Sequence, residues 1–356
     1  MCLPGLLVKL SSTGLCGKAL SWCESFLTNR CQRVRVGSHV SSPEFLRAGV
    51  PQGAILSPLF FNIYINDIVE CTNAEVNLFA DDTSVYVTEK SGLALQNKLQ
   101  EAVNKLASWF KAWAITINHA KSAAMVISKK RNPIKLDIHI DDTPIPQANS
   151  HKHLGLVLNN KLSWSDHVEH IRSKAAKKVG LLRRIRKRLP SLVLRTLYIT
   201  CIRPTLEYAS GAWGGVGTHD ADRLERLQRS AARLITNITL QDQLPHKIIL
   251  ARAGLQELKA RRSQEIALSV HRLITCPKTT PYHLLDAFQK WNNSIPSTQT
   301  TLTLRSAKND SLRLPRPRTE ALRLSPFYRA VCVLNSLPPE SKSSVSALKS
   351  HFSILS

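Results

Sequence analysis

Closely spaced cysteine pairs and long apolar runs are missing from this sequence of 356 residues, and its first residues make a poor secretion signal. The eight cysteines include no Cys-x-x-Cys pair, which argues against a disulfide framework and a zinc knuckle, so we expect free thiols. No run approaches the roughly 20 apolar residues that span a bilayer, so we expect no membrane partner. The short apolar stretch at the amino end contains Lys9 and no clear cleavage site. We therefore expect an intracellular protein, in the nucleus or the cytoplasm, that is not secreted.

Acidic residues are also scarce, because 25 of them face 49 lysines and arginines and the formal net charge is +24. A charge of this size favours a polyanionic partner, and nucleic acid is the first candidate. Apolar residues make up 43% of the chain, which is enough for a hydrophobic core. The length predicts two or three units rather than one.

Two adjacent carboxylates form the sharpest chemical feature. The β-forming runs 75–80 and 83–87 flank Asp81 and Asp82, which predicts a hairpin with both acids at its tip. Adjacent carboxylates repel each other, and a divalent cation relieves the repulsion. Phosphoryl transfer by paired Mg²⁺ ions needs carboxylates held on rigid strands. An Asp-Asp pair alone is a weak signal, and we interpret the second one, Asp141-Asp142, as a polar turn.

The surrounding sequence predicts an α+β fold. Residues 1–40 have the apolar pattern of a helix followed by a short strand. A tight loop at Pro51, Gln52 and Gly53 precedes an apolar stretch, which predicts a helix buried on several sides. The other predicted elements here are a strand or turn at Phe45-Leu46, an amphipathic helix from Leu95 to Trp113, and strands over 121–128 and 134–140.

The character of the chain changes near His151. HKHLGLVLNNKLSW predicts a short hairpin, and Ser165 is predicted to cap a basic helix whose apolar positions run from Val168 to Ile185. Helices continue to about Leu268, with breaks at Pro190, Pro204 and 211–217. The basic positions of the first helix are Arg172, Lys174, Lys177, Lys178, Arg183, Arg184, Arg186, Lys187 and Arg188, and Arg223, Arg226, Arg229 and Arg233 follow on the next one.

These charges have two interpretations, a solvated helix face or a surface that follows a nucleic-acid backbone.

The histidine pairs are weaker still. His167 and His170 are spaced i, i+3 and could hold a metal, but without further ligands we interpret them as part of a polar face. His151 and His153 also have no further ligands.

Several motifs together resemble non-LTR retrotransposon reverse transcriptases. GVPQGAILSPLFFNIYINDI resembles the segment before the catalytic hairpin of that family, and NLFADDTSVY resembles the hairpin itself. LASWFKAWAITINHAKSAAMVIS is similar to the next element, where Asn118 and Lys121 fit the expected places. HLGLVLNNKLSWSDHVEHI resembles the segment that grips the primer end, RTLYITCIRPTLEYASGAWG the thumb, and FYRAVCVLNSLPPE the closing segment.

The resemblance implies an RNA-directed DNA polymerase with Mg²⁺ as cofactor and with an RNA template, a DNA primer and deoxynucleoside triphosphates as partners. It implies that Asp81 is a metal ligand and that Asp82 assists at the same site. Gly53 would let the backbone approach the incoming nucleotide, while Leu154 and Gly155 would position the primer. Gln52, Phe79 and Lys121 would contact the nucleotide or template, although a solvated surface lysine is an equal alternative for Lys121.

The sequence departs from this family in one respect. The family has another catalytic aspartate shortly before a segment like GLLVKL, which begins here at Gly5, and Met1 to Pro4 contain no acid. Glu24 and Glu44 match neither its position nor its surroundings. The expected chain is thus an amino-terminally truncated enzyme that is inactive or weakly active. A non-enzymatic, basic nucleic-acid-binding protein is the alternative, and a reading frame that extends upstream is a third possibility.

The expected organisation is a partial polymerase palm, built from an antiparallel sheet with packed helices, over 1–150. A primer grip and helical, basic thumb follow over 151–275. A loosely ordered linker over 276–325 and a small helical segment over 326–356 complete the prediction. The sequence does not predict an oligomeric state.

Overall fold

The computed structural model describes residues 1–128, 130, 133–239, 241–275, 286, 325–342 and 345–354. It divides into two compact units, Met1–His151 and Lys152–Ser356. Helices alternate with small antiparallel strand pairs, as the predicted α+β class requires. Among the described residues, no helix is both long and apolar enough to cross a membrane. The linker predicted over 276–325 lies almost entirely outside the described residues.

The first unit begins with two helices, α1 (Leu3–Ser12) and α2 (Gly17–Leu27), where the sequence predicted one. The chain is broken at Gly14 and Gly17, which have φ of +89° and +57°. Glycine adopts these left-handed values without the penalty that a Cβ imposes. Buried Leu6 and Leu10 pack α1 into a core shared with the helix after the Pro51 loop.

That next helix, α3 (Ser57–Ile65), continues as a 3₁₀ segment to Cys71. Phe60, Tyr64 and Ile68 are buried as predicted, but Ile55 is 95% exposed and Leu59 is 51% exposed. The prediction that this stretch is packed on several sides was therefore wrong for its first turn. Within this unit, the apolar neighbours of α3 cover the face that carries Phe60 and Tyr64.

Short strand pairs fill the rest of the first unit. The strands are β1 (Cys31–Gln32), β2 (Arg35–Val36), β3 (His39–Val40), β4 (Glu44–Phe45), β5 (Glu75–Phe79), β6 (Asp82–Tyr86), β7 (Ile138–Ile140) and β8 (Thr143–Ile145). They form four antiparallel pairs: β1 with β4, β2 with β3, β5 with β6, and β7 with β8. The amphipathic helix α4 (Gly92–Ala112) is present as predicted. Asp141-Asp142 is the polar turn between β7 and β8.

The strand predicted over 121–128 was wrong. Lys121 lies in a 3₁₀ turn, and Ala124 forms only an isolated bridge to Gln147. The expected strand over 134–140 is formed only at its end, as β7. In the part before β7, the Gln147 side chain makes the hydrogen bonds that a partner strand would make. It accepts the N–H of Leu136 and donates to the carbonyl of Ile134.

The second unit is mainly helical, after a hairpin of β9 (Ser150–His153) and β10 (Leu156–Asn159). Its helices are α5 (Ser165–Ile185), α6 (Ser191–Leu197), α7 (Arg203–Glu207), α8 (Ser210–Trp213), α9 (Thr218–Thr236), α10 (His246–Arg252), α11 (Leu258–Thr275), α12 (Pro326–Ser336) and α13 (Val345–Ile354). A π-helical segment over Tyr198–Ile202 precedes Pro204, where the missing proline N–H interrupts the regular helical pattern.

Helix α5 lies in the main core of this unit. Val168, Ile171, Ala175, Val179 and Leu182 are buried, as their spacing predicted. Ser165, however, does not cap the helix. It is the first helical residue, and its hydroxyl donates to Asp220 Oδ2 at 2.7 Å, which ties α5 to α9.

Candidate active site and nucleic-acid interface

The acidic hairpin has a two-residue turn. Phe79 pairs with Asp82, so Ala80 and Asp81 form the turn and Asp82 is already the first residue of β6. Ala80 has φ of +51°. Val76, Leu78 and Val85 face the core beside α4, so alternation places Phe79 and Asp82 together on the opposite face. Both carboxylates and the 63% exposed Phe79 ring are open to solvent.

The described residues do not complete a metal site around this turn. Nowhere in the described part of the chain do three His, Cys, Asp or Glu side chains come together as metal ligands. Glu24 on α2 and Glu44 on β4 are both exposed, and the structure does not place either beside the hairpin. Two adjacent carboxylates alone are too few oxygen donors for a pair of Mg²⁺ ions.

The Pro51 loop precedes α3 with its polar groups exposed. Gly53 has φ of +83°, and an added Cβ there would meet nothing within 4 Å. Glycine is therefore favoured at position 53 by the left-handed backbone conformation and not by close packing of neighbouring atoms. Gln52 is exposed, and the hydroxyl of Ser57 donates to the carbonyl of Pro51, which fixes the loop to the first turn of the helix.

Asn118 and Lys121 are joined by a local cap. The Asn118 side chain accepts the backbone N–H of Lys121 at 3.2 Å, at the start of the turn His119–Lys121. The Lys121 side chain is exposed. Its predicted role at a phosphate remains a prediction, as do the nucleotide contacts of Gln52, Gly53 and Phe79.

Leu154 and Gly155 form the turn of the β9–β10 hairpin. Their φ values are +46° and +82°, and two successive positive values are the pattern of a type I′ hairpin turn. The hydroxyl of Tyr208 donates to the Leu154 carbonyl at 3.2 Å. A Cβ on Gly155 would lie 3.0 Å from the Tyr208 ring. Tyr208 therefore stabilises the turn at Leu154 and Gly155, and no local sequence pattern predicts this contact.

His167 is a buried structural residue, so its assignment to a polar face was wrong. It is 1% exposed, and its Nδ1 accepts the N–H of Val157 on β10 at 3.3 Å. Its ring centre lies 5.1 Å from that of Trp213. Burial, helped by the charge of His170, lowers the His167 pKa to about 4. His167 lies four residues before buried Ile171 and therefore on the same helix face, which is the signal that could have revealed its burial.

The basic residues of α5 fall into two groups. Lys174, Lys177, Arg183 and Arg184, and Lys187 in the 3₁₀ turn that follows the helix, are exposed, and the structure pairs none of them with another described residue. Two others are engaged within the protein. Arg172 donates to Glu169 at 2.6 Å, and Lys178 donates to the Cys201 carbonyl at 2.6 Å and to Thr205 Oγ1 at 2.8 Å.

The remaining predicted cations also include both exposed residues and residues that are hydrogen-bonded within the protein. Arg186 is half-buried and Arg188 is exposed, both in the 3₁₀ turn after α5. On α9, Arg223 donates to Glu169 and to Asp220. The hydrogen bonds from Arg172 and Ser173, with the positive charge of Arg223, lower the Glu169 pKa to about 2. Arg226 is exposed, while the Nε atoms of Arg229 and Arg233 are buried without a partner among the described residues.

Comparison with known proteins supports the family suggested by the motifs. Residues 3–158 match the family described as "Reverse transcriptase (RNA-dependent DNA polymerase)". The chain is 30% identical over 244 residues to a probable RNA-directed DNA polymerase from the Drosophila melanogaster transposon X-element, an alignment that covers 65% of this chain and 26% of that protein.

Two further relatives come from the same organism. One is a probable RNA-directed DNA polymerase from transposon BS, 28% identical over 60% of this chain and 25% of its own length. The other is the RNA-directed DNA polymerase from mobile element jockey, 26% identical over 60% and 24%. The chain thus spans about a quarter of these relatives.

No solved structure matches the chain. The comparisons favour the polymerase interpretation over a non-enzymatic, basic nucleic-acid-binding protein derived from the same kind of element. The match includes the Pro51 loop, the Asp81-Asp82 turn and the predicted primer-grip hairpin. Residues 3–158 of this chain are accordingly similar to a reverse transcriptase domain, and the relatives reported above are RNA-directed DNA polymerases of transposons and of a mobile element.

Proposed function

We propose that this chain is the palm and thumb portion of a non-LTR retrotransposon reverse transcriptase, which adds deoxynucleotides to a DNA primer on an RNA template. The turn that presents Asp81 and Asp82 carries this proposal, because it lies on a rigid hairpin inside the matched region. Template and primer are intracellular molecules, so we also propose that the chain acts in the nucleus or cytoplasm.

Asp81 and Asp82 would contribute oxygen ligands to a Mg²⁺ site that needs a further carboxylate from outside the described residues. The exposed Phe79 ring and the Gln52-Gly53 backbone would contact the incoming nucleotide or the template base. Lys121 would neutralise phosphate charge. The exposed cations of α5 would follow the backbone of the hybrid without reading its sequence.

We propose that the chain, with the sequence given, incorporates nucleotides weakly. Metal carboxylates supply much of the electrostatic stabilisation of phosphoryl transfer, and two adjacent ones provide only part of the ligand set. Binding of the hybrid depends on the exposed cations and is therefore expected to be retained. Weak incorporation with good hybrid affinity is the expected combination.

The test is primer extension on an RNA template in Mg²⁺, together with measured hybrid affinity. Asp81→Asn should abolish the residual incorporation and leave hybrid affinity unchanged. Asp142→Asn is the matched control, because Asp142, like Asp81, is the second residue of a two-residue turn whose first residue has φ of +51°. Incorporation that survives Asp81→Asn would exclude this active site, and efficient extension would contradict the weak activity. A chain that neither extends primers nor binds hybrid would refute the function.

A further inference from the structure

Two arginines in the second unit have buried N–H groups without a hydrogen-bond acceptor among the described residues. Arg262 on α11 is 1% exposed, yet its Nε and Nη1 atoms have no hydrogen-bond acceptor among the described residues. Arg329 on α12 is half-buried, and its Nη1 is unpaired in the same way. A buried guanidinium N–H without an acceptor loses hydration and gains nothing in return. Such groups therefore call for a ligand.

The two side chains converge on the end of α8. The Arg262 guanidinium lies 5.7 Å from the ring centre of the fully buried Trp213. Arg329 Nη1 lies beside the next residue, Gly214, where an added Cβ would be only 3.3 Å from it. Helix α12 packs along α11 and the charge of Arg329 acts on Arg262, so the two guanidinium groups lie near each other at the end of α8.

The neighbouring acid does not balance these charges. Glu225 is buried and acts on Arg262 through its charge. Its own oxygens, however, are occupied by the backbone N–H of Lys259 at 2.9 Å and by the Gln228 amide at 3.4 Å. Glu207 also acts on Arg262 through its charge, but its carboxylate is paired with Arg261 and Arg203, so the two carboxylates do not neutralise the arginines around them. Burial lowers the pKa of both arginines. The charge of Arg329 lowers the Arg262 pKa further, while the carboxylates of Glu225 and Glu207 oppose that shift.

We propose that Arg262 and Arg329 bind a phosphate-class oxyanion between α8, α11 and α12. Guanidinium groups present planar sets of N–H donors that match tetrahedral oxyanions, and such charge-assisted bonds are strong where water is excluded. The unpaired donors come from two helices, so the anion would also join α12 to the rest of the unit. This site does not rest on the polymerase proposal. The anion can be a nucleic-acid backbone phosphate or free phosphate.

The test is thermal unfolding of the full chain in increasing inorganic phosphate, with chloride used to hold ionic strength constant. Phosphate should raise the unfolding temperature in a saturable way. Arg329→Met should weaken apparent phosphate affinity about tenfold or more, as expected for losing charge-assisted hydrogen bonds. Arg272→Met is the matched control, because it removes one exposed cation from α11 and should leave phosphate affinity unchanged.

Folding of the variants is checked without phosphate. Arg329→Met should then unfold at or above the wild-type temperature, because it removes an uncompensated buried charge. Arg329→Lys keeps the charge without the planar N–H donors and should show intermediate affinity. Equal responses of wild type and Arg329→Met to phosphate, or a wild type that responds no more to phosphate than to chloride, would overturn the site.

A second arm identifies the source of the anion. If a backbone phosphate occupies the site, Arg329→Met should weaken binding of an RNA–DNA hybrid, and free phosphate should compete with the hybrid. If the occupant is free phosphate, wild type and Arg329→Met should bind the hybrid equally, and phosphate should stabilise the chain even when hybrid is saturating. A primer-extension failure would leave both results unchanged.

Discussion

The ammonium group of Lys9 lies 3.6 Å from the ring centre of Trp113. It also contacts the Asp67 carboxylate and the Tyr64 carbonyl, each at 2.5 Å. Lys9 is only 6% exposed, so α1 is fixed to the 3₁₀ segment after α3 and to the end of α4 by one buried cation. Burial lowers the Lys9 pKa, while the Asp67 hydrogen bond opposes that shift.

Replacing this cation should destabilise the first unit. Lys9→Ala removes the cation–π contacts and leaves the Tyr64 carbonyl without its donor, and we expect a cost of roughly 2–4 kcal/mol. Urea unfolding followed by tryptophan fluorescence measures this loss. Lys18→Ala, on the exposed face of α2, should change stability little. Equal effects of the two substitutions would show that the contacts of Lys9 do not stabilise the fold.

Acid should destabilise the second unit through His167. Its folded-state pKa of about 4 lies below the ordinary value of 6.5, so between these values the unfolded chain binds the extra proton. The contribution is complete above pH 6.5 and is lost as the pH falls toward 4, for a total of about 3 kcal/mol. The measurement is unfolding free energy at pH 7 and pH 5.

His167→Gln should remove this part of the pH dependence, and it should also lower stability at pH 7 because the packing against Trp213 is lost. The exposed His170 provides the matched variant, His170→Gln, which should keep most of the pH dependence. An unchanged pH dependence in His167→Gln would show that this imidazole does not control the acid sensitivity.

The exposed cations of α5 should determine how salt affects hybrid binding. The double variant Lys177→Gln, Arg184→Gln should bind the hybrid more weakly. It should also reduce the slope of log affinity against log salt concentration by roughly one unit for each lost phosphate contact. The pair Arg172 and Lys178 has the same charge but is engaged within the protein. Glutamine at those two positions should reduce stability more than it reduces the slope.

Two glycines should respond oppositely to alanine. Gly155→Ala forces a Cβ into a left-handed position and against Tyr208, and we expect a loss of about 1–2 kcal/mol or more. Gly180 lies within α5 with nothing within 4 Å of an added Cβ, so Gly180→Ala should stabilise by about 0.5–1 kcal/mol. Thermal unfolding of both variants checks the pair. Stabilisation by Gly155→Ala would contradict the turn geometry.

The sequence predicted elements whose pattern is local. The β5–β6 hairpin, α4 and the buried face of α5 follow from alternation or from three- and four-residue spacing, and each was predicted. The break between α1 and α2 was missed although Gly14 and Gly17 signal it. The strand over 121–128 was predicted from β-forming residues, but sheet formation also needs a partner strand, and Ala124 has only one bridge.

Site residues that depend on distant contacts could not be predicted from spacing. Tyr208 reaches the Leu154 carbonyl, and Ser165 reaches Asp220, across more than 50 positions of sequence. The burial of Arg262 depends on packing between helices far apart in the chain. The Asp81-Asp82 turn was predictable because both strands and the turn are contiguous.

The two-residue turn at Ala80 and Asp81 constrains the length of its own segment. Side chains alternate between the two faces of a strand, so a slip of β6 by one residue against β5, with the turn kept at two residues, would exchange inward and outward positions along β6. The carboxylate of Asp82 would then point toward Trp109 and Phe110, and Val85 would turn to water. An inserted residue is therefore compatible with the present faces only where it lengthens the turn and leaves the strand register unchanged.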